Sequence, residues 1–108
     1  MRRRERERVE RLAHEVCADE APQLTGRLLL IWARELPDAY GLASAFQPWV
    51  LICETRWRTS DSDERADTIA HELAHLITWC RDSSAPPHGP AWESCFRRLR
   101  EVAIEMEW

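Results

Sequence analysis

The apolar positions of this chain follow two rhythms. Some recur at helical spacing and others run on without interruption. Across residues 4 to 20, Val9, Leu12, Ala13 and Val16 recur three or four apart and Cys17 extends the stripe, as on one face of a helix. Pro22 and Gly26 break that pattern. Leu28-Leu29-Leu30-Ile31-Trp32 is a continuous apolar run suited to a buried strand, and Pro37, Asp38 and Gly41 mark the turn after it. Residues 40 to 46 form a weak second strand, and Pro48 interrupts again. Trp49-Val50-Leu51-Ile52-Cys53 carries the strongest strand signal, and Trp57 continues it.

Thr59-Ser60-Asp61-Ser62-Asp63-Glu64 is a polar junction with helix-capping chemistry, its acidic groups suited to the positive end of a helix dipole. A helix from about Ser62 to Cys80 follows, with Ala66, Ile69, Ala70, Leu73, Ile77 and Cys80 as its buried face. After a loop at residues 81 to 87, Pro90 opens a final helix along which Trp92, Cys95, Phe96, Leu99, Val102, Ala103 and Met106 recur. The expected fold is α+β. A small, mainly antiparallel sheet of about three strands packs against an N-terminal helix, the helix from Ser62 and a C-terminal helix.

Bulk properties narrow the class. A length of 108 residues suits one domain with one modest core, and shares of 44% hydrophobic and 31% charged residues are those of a globular protein. No apolar stretch is long enough for a membrane helix, and the arginine-rich start has no apolar run of a secretory signal behind it. A cytoplasmic location without membrane partners is the expectation. Cys17, Cys53, Cys80 and Cys95 form no CxxC pair, which argues for reduced, mostly buried thiols. A net charge of −4 excludes a generally basic nucleic-acid binder. All cations are arginine, and the first eleven residues hold six of them, interleaved with Glu5, Glu7 and Glu10. This pattern reads as a solvated helix face laced with ion pairs, or as a phosphate-contacting arm.

The chemistry lies at His71-Glu72-Leu73-Ala74-His75, an HExxH pattern. Histidines four apart lie one helical turn from each other on one face, so both imidazoles can grip one zinc ion. The glutamate between them can then take a proton from an activated water. Catalytic zinc needs a third protein ligand and an open position. His88 is the natural third, at a loop–helix junction with twelve residues between it and His75, with Gly89 allowing close backbone approach and Pro90 fixing the helix start. Carboxylates of the last helix compete for that role, Glu93 nearest and Glu101 further on. His14 reads as an ordinary helical histidine.

The segment from HELAH to HGPAW resembles the SprT-like (Spartan-type) zinc metalloprotease domain. In that family HExxH is followed, after a dozen or so residues, by HGP, one residue and an aromatic, here His88-Gly89-Pro90 and Trp92. The resemblance covers roughly residues 28 to 106 and is most specific from Asp67 to Leu99. It implies a zincin-like fold, zinc on His71, His75 and His88, and Glu72 as general base. It also implies a protein or peptide substrate, including proteins crosslinked to DNA. Many members carry a cysteine-rich zinc ribbon. The present sequence has no CxxC, so weak DNA contact is expected through the N-terminal arginines or a partner.

The implied reaction is zinc-assisted peptide hydrolysis, with an extended substrate pairing on an exposed sheet edge. Tyr40 is read as a turn or core residue rather than an oxyanion donor. Most of the six tryptophans should be core, with Trp79 also placed to line the cleft. The rival readings are a non-catalytic zinc-binding interaction module that keeps the fold, and a metal-dependent hydrolase acting on something other than protein.

Overall fold

A computed structural model of the chain describes residues 1–44 and 46–108. Ala45, which falls inside the expected second strand, lies outside the described residues. Among the described residues, four α-helices and three strands follow in the order α1 (Arg3–Cys17), β1 (Leu29–Ala33), β2 (Gly41–Ala43), β3 (Trp49–Cys53), α2 (Glu54–Thr59), α3 (Ser62–Arg81) and α4 (Pro90–Ala103), with a short 3-10 turn at Pro22–Leu24 after α1. The class is α+β, as the apolar rhythms predict. No helix among the described residues is long and apolar enough to cross a membrane.

The sheet has the order β1-β3-β2. It is mixed where a mainly antiparallel sheet is expected. β1 and β3 pair in parallel from Leu29 opposite Trp49 to Ala33 opposite Cys53, and the short β2 pairs antiparallel with β3. The chain passes from β1 to β2 on the far side and then doubles back, so β3 returns between them running the same way as β1. Strand periodicity carries no information on that direction.

β1 is an edge strand, and only one of its faces is covered. Leu30 and Trp32 pack on the core, whereas Leu29 is 56% and Ile31 43% exposed. The run Leu28–Trp32 is therefore a half-covered strand rather than a buried one. Trp57 does not continue β3. It belongs to α2, where it is buried edge-to-face between Trp32, at 5.4 Å, and Trp108, at 6.2 Å. Trp108 is held in turn, since its indole N–H donates to the Ala103 carbonyl at 2.8 Å and its own carbonyl accepts from Arg65 at 2.8 Å.

α3 is the central element and makes its most extensive contact with α4. A full capping box starts it. The Asp61 carboxylate accepts from the Glu64 amide at 2.8 Å, and the Glu64 side chain accepts from the Asp61 amide at 3.0 Å. Ala66, Ile69, Ala70, Leu73 and Ile77 are buried as expected, but Cys80 is exposed because the last turn runs past the core. Cys17, Cys53 and Cys95 are buried free thiols. On α4, Cys95, Leu99 and Ala103 are buried, whereas Val102 is 44% exposed and falls off the stripe.

Three of the N-terminal arginines make contacts within the fold. Arg3 pairs with Glu7 at 3.0 Å, Arg6 reaches Glu54 at 3.9 Å, and Arg8 donates to the Glu107 carbonyl. His14 is a structural link, its Nε2 lying 3.1 Å from the Leu28 carbonyl. At the other end of the helices, Glu20 accepts from Arg81 and Arg98, tying the end of α1 to α3 and α4.

Candidate metal centre and active-site cleft

His71 and His75 lie one turn apart on α3, and His88 meets them from the loop before α4. The three Nε2 atoms form a near-equilateral triangle. They are separated by 3.3 Å (His71 to His75), 3.0 Å (His75 to His88) and 3.1 Å (His71 to His88). Tetrahedral zinc with Zn–N bonds of about 2.0–2.1 Å needs nitrogens about 3.3–3.4 Å apart. Three imidazole nitrogens this close cannot all satisfy one another, because each pair needs one donor and one acceptor. A cation relieves the clash of lone pairs, so the donor set fits a divalent metal ion. Among the described residues, these three histidines form the one group of potential ligands whose donor atoms all lie within 4.8 Å of one another. Glu93 and Glu101 are not in it; Glu93 pairs with Arg97 at 2.7 Å.

Burial favours the neutral, ligating form of the rings. It holds the His75 imidazolium down to about 4, with the neighbouring His71 and His88 adding to the effect. His71 is also lowered, by burial first and then by His88, with Asp67 opposing.

His88 occupies the left-handed region, with φ 61°. For a residue other than glycine this costs on the order of 1–2 kcal/mol. The surroundings hold it there. A Cβ on Gly89 would come within 3.2 Å of the Pro86 carbonyl oxygen, and the Gly89 amide donates to that same carbonyl at 3.1 Å. The close approach expected of Gly89 is therefore present.

Two tryptophans form a frame around the histidines. Trp79 stacks on His75, with centroids 4.9 Å apart and planes at 18°. Its indole N–H donates to the Ala85 carbonyl at 3.2 Å, pinning the loop that delivers His88. Trp92 sits edge-on to His88 at 4.6 Å and to His71 at 4.9 Å, and its N–H donates to the His71 carbonyl at 3.2 Å. Trp92 thus joins α4 to the turn of α3 that carries His71. The spacing HGP-x-aromatic signals its presence in the sequence but not this bond.

Glu72 is 5% exposed and beside the histidines. Burial pushes its carboxyl up to about 7. It borders a cleft of about 320 Å³ with His71, Asp67 and Thr68 on the α3 side, and Asp38, Tyr40 and Gly41 opposite. Gly41 is the residue that sequence reasoning missed. A Cβ there would lie 2.9 Å from the Leu51 carbonyl oxygen and 3.0 Å from Glu72 Cγ. Only a residue without a side chain lets β2 come this close to Glu72. No local pattern signals it, since the contact joins residues far apart in the chain. Tyr40 is 48% exposed on the cleft wall, with the Arg56 guanidinium 5.0 Å from its ring centroid. It holds a place in the turn before β2 and is not a core residue.

A family model described as the SprT-like family matches residues 6–107. The chain is 26% identical over 102 residues to the human (Homo sapiens) germ cell nuclear acidic protein; the match covers 84% of this chain and 14% of that relative. No solved structure matches significantly.

Proposed function

This chain belongs to the SprT-like family, and we propose that it is a zinc-dependent peptidase in which His71, His75 and His88 hold the ion and Glu72 is the general base. The observation that carries the proposal is the triangle of Nε2 atoms with a buried carboxylate beside it. When bound, zinc supplies Lewis acidity, which polarises a scissile carbonyl and acidifies water. Glu72 accepts a proton from the attacking water and returns it to the leaving amine. Burial raises this carboxyl to about 7 in the metal-free chain; a bound dication would oppose that shift and favour the ionised carboxylate that accepts the proton.

β2 forms an edge of the sheet, and its residue Gly41 lies against Glu72. An extended substrate pairing there would be read mainly through its backbone, which suits broad sequence tolerance. Proteins associated with or crosslinked to DNA are the finer substrate class proposed, by analogy with the family. The chain spans 14% of the human relative's length, so that protein's activities as a whole are a guide only to the class. An intact Glu72 favours catalysis over a purely binding module, which has no need of a base.

The test is metal stoichiometry together with cleavage of an unfolded protein. One zinc per chain is expected. Cleavage should stop on chelation and return when zinc is restored. A zinc-loaded chain that leaves unfolded protein intact contradicts the proposal.

A further inference from the structure

A second concavity, of about 610 Å³, lies where α1, the end of β1 and α2 meet. None of its lining residues borders the catalytic cleft. Arg6, Arg34 and Arg58 project around it, with Glu35 and Glu54 between them. The balance of charge is unusual for a protein of net charge −4. Glu54 is shared by Arg58, at 2.9 Å, Arg6, at 3.9 Å, and the Met1 ammonium. Among the described residues Arg34 has no carboxylate within salt-bridge distance. Three guanidinium groups and the Met1 ammonium against the two carboxylates Glu35 and Glu54 leave a surplus of positive charge on this wall.

The arrangement is fixed in place. The Arg34 carbonyl accepts from both the Thr55 hydroxyl, at 2.7 Å, and the Thr55 amide, at 3.3 Å, which locks the end of β1 to the start of α2. Arg58 is held one turn further along α2 by Glu54. The guanidinium groups still reach solvent, with Arg6 46% and Arg58 63% exposed along the side chain. Trp32 borders the same cleft, and its indole N–H is buried with no hydrogen-bond partner among the described residues. Buried indole donors ordinarily find an acceptor.

We infer that Arg6, Arg34 and Arg58 form a binding site for a phosphate group, separate from the metal centre. Planar guanidinium groups match the paired oxygens of phosphate. The volume is that of a site for a small ligand, enough for a single nucleotide unit. The site does not rest on the peptidase reading, and its test involves no cleavage.

The test is fluorescence polarisation of a labelled oligothymidylate with the whole zinc-loaded chain, compared with Arg34→Glu and Arg4→Glu. Arg4 lies on the exposed side of α1 and does not line the cleft. Arg34→Glu should weaken binding about tenfold or more, the scale of one charge-assisted hydrogen bond. Arg4→Glu should cost much less. Three arginines on single-stranded phosphates predict a slope of log affinity against log salt of about −2. Thymidine monophosphate and inorganic phosphate should both compete. Competition by the mononucleotide as strong as that of an unlabelled oligomer supports a site for one phosphate, and weaker competition supports one strand tracked across the three arginines. Equal losses from Arg34→Glu and Arg4→Glu would overturn the site in favour of diffuse attraction. Undetectable binding by the parent would overturn it as well. Should Arg34→Glu unfold, Arg58→Ala in the same assay decides, with binding unchanged from the parent counting against the site.

Discussion

Glu72 combines deep burial with an ionisable group, and this has a consequence for the metal-free protein. Its carboxyl sits at about 7 in the fold against an ordinary 4.5. The folded state therefore holds the proton more tightly than the unfolded chain. Its contribution to stability falls as pH rises from about 4.5 through about 7. Glu72→Gln abolishes this ionisation. The chelated variant should be more stable than the chelated parent at pH 8 by on the order of 1–3 kcal/mol, with the gap closing towards pH 4.5. Thermal unfolding at the two pH values checks this, and a gap independent of pH contradicts it. His75 acts in the opposite sense. Its folded value is about 4 against 6.5, so the unfolded chain protonates first and stability falls as pH drops from about 6.5 towards 4. That loss is common to parent and variant and leaves the comparison intact. His88 allows a second test at this scale. Its Nε2 closes the triangle, so His88→Ala should weaken zinc binding by about a hundredfold or more, measured by competition with a chromophoric chelator. Unchanged affinity would remove it from the site.

At the scale of elements, the helices were the most legible part of the chain. Apolar residues three and four apart placed α1, α3 and α4, and the acidic junction at Asp61 marked the start of α3. The capping box makes that start quantitative. Asp61→Ala should cost about 1 kcal/mol in urea unfolding, with zinc binding retained. A loss below about 0.3 kcal/mol would mean that water replaces the cap. The HExxH pair was legible for the same reason, since both ligands lie on one helix and their spacing fixes their geometry. What was not legible depends on contacts distant in sequence. The parallel pairing of β1 with β3 follows from where β2 lies. Trp57 looks like strand because aromatic residues favour strands, yet packing between Trp32 and Trp108 sets it in α2. The approach of Gly41 to Glu72 and the bond from Trp92 to His71 each join separate elements and leave no periodic trace.

The whole molecule is arranged around α3. The sheet gives it a floor and an edge, α4 and the preceding loop bring the third histidine, and α1 closes the back of the core. The chain's last residue is part of that closure. Trp108 is 7% exposed and ends the aromatic series through Trp57 to Trp32. Trp108→Ala should therefore destabilise the fold by about 3–5 kcal/mol, read from denaturant unfolding, and a loss under 1 kcal/mol would show that the series is not structural. The arginine-lined cleft lies apart from the cleft that Glu72 borders. The central claim is that metal and base act together on a peptide bond, and one comparison tests it most directly. Parent and Glu72→Gln, each shown to hold one zinc per chain, are incubated with the same unfolded protein. The account predicts equal metal content and a fall in cleavage rate of about a hundredfold or more for the variant. Equal cleavage by the two proteins would contradict it.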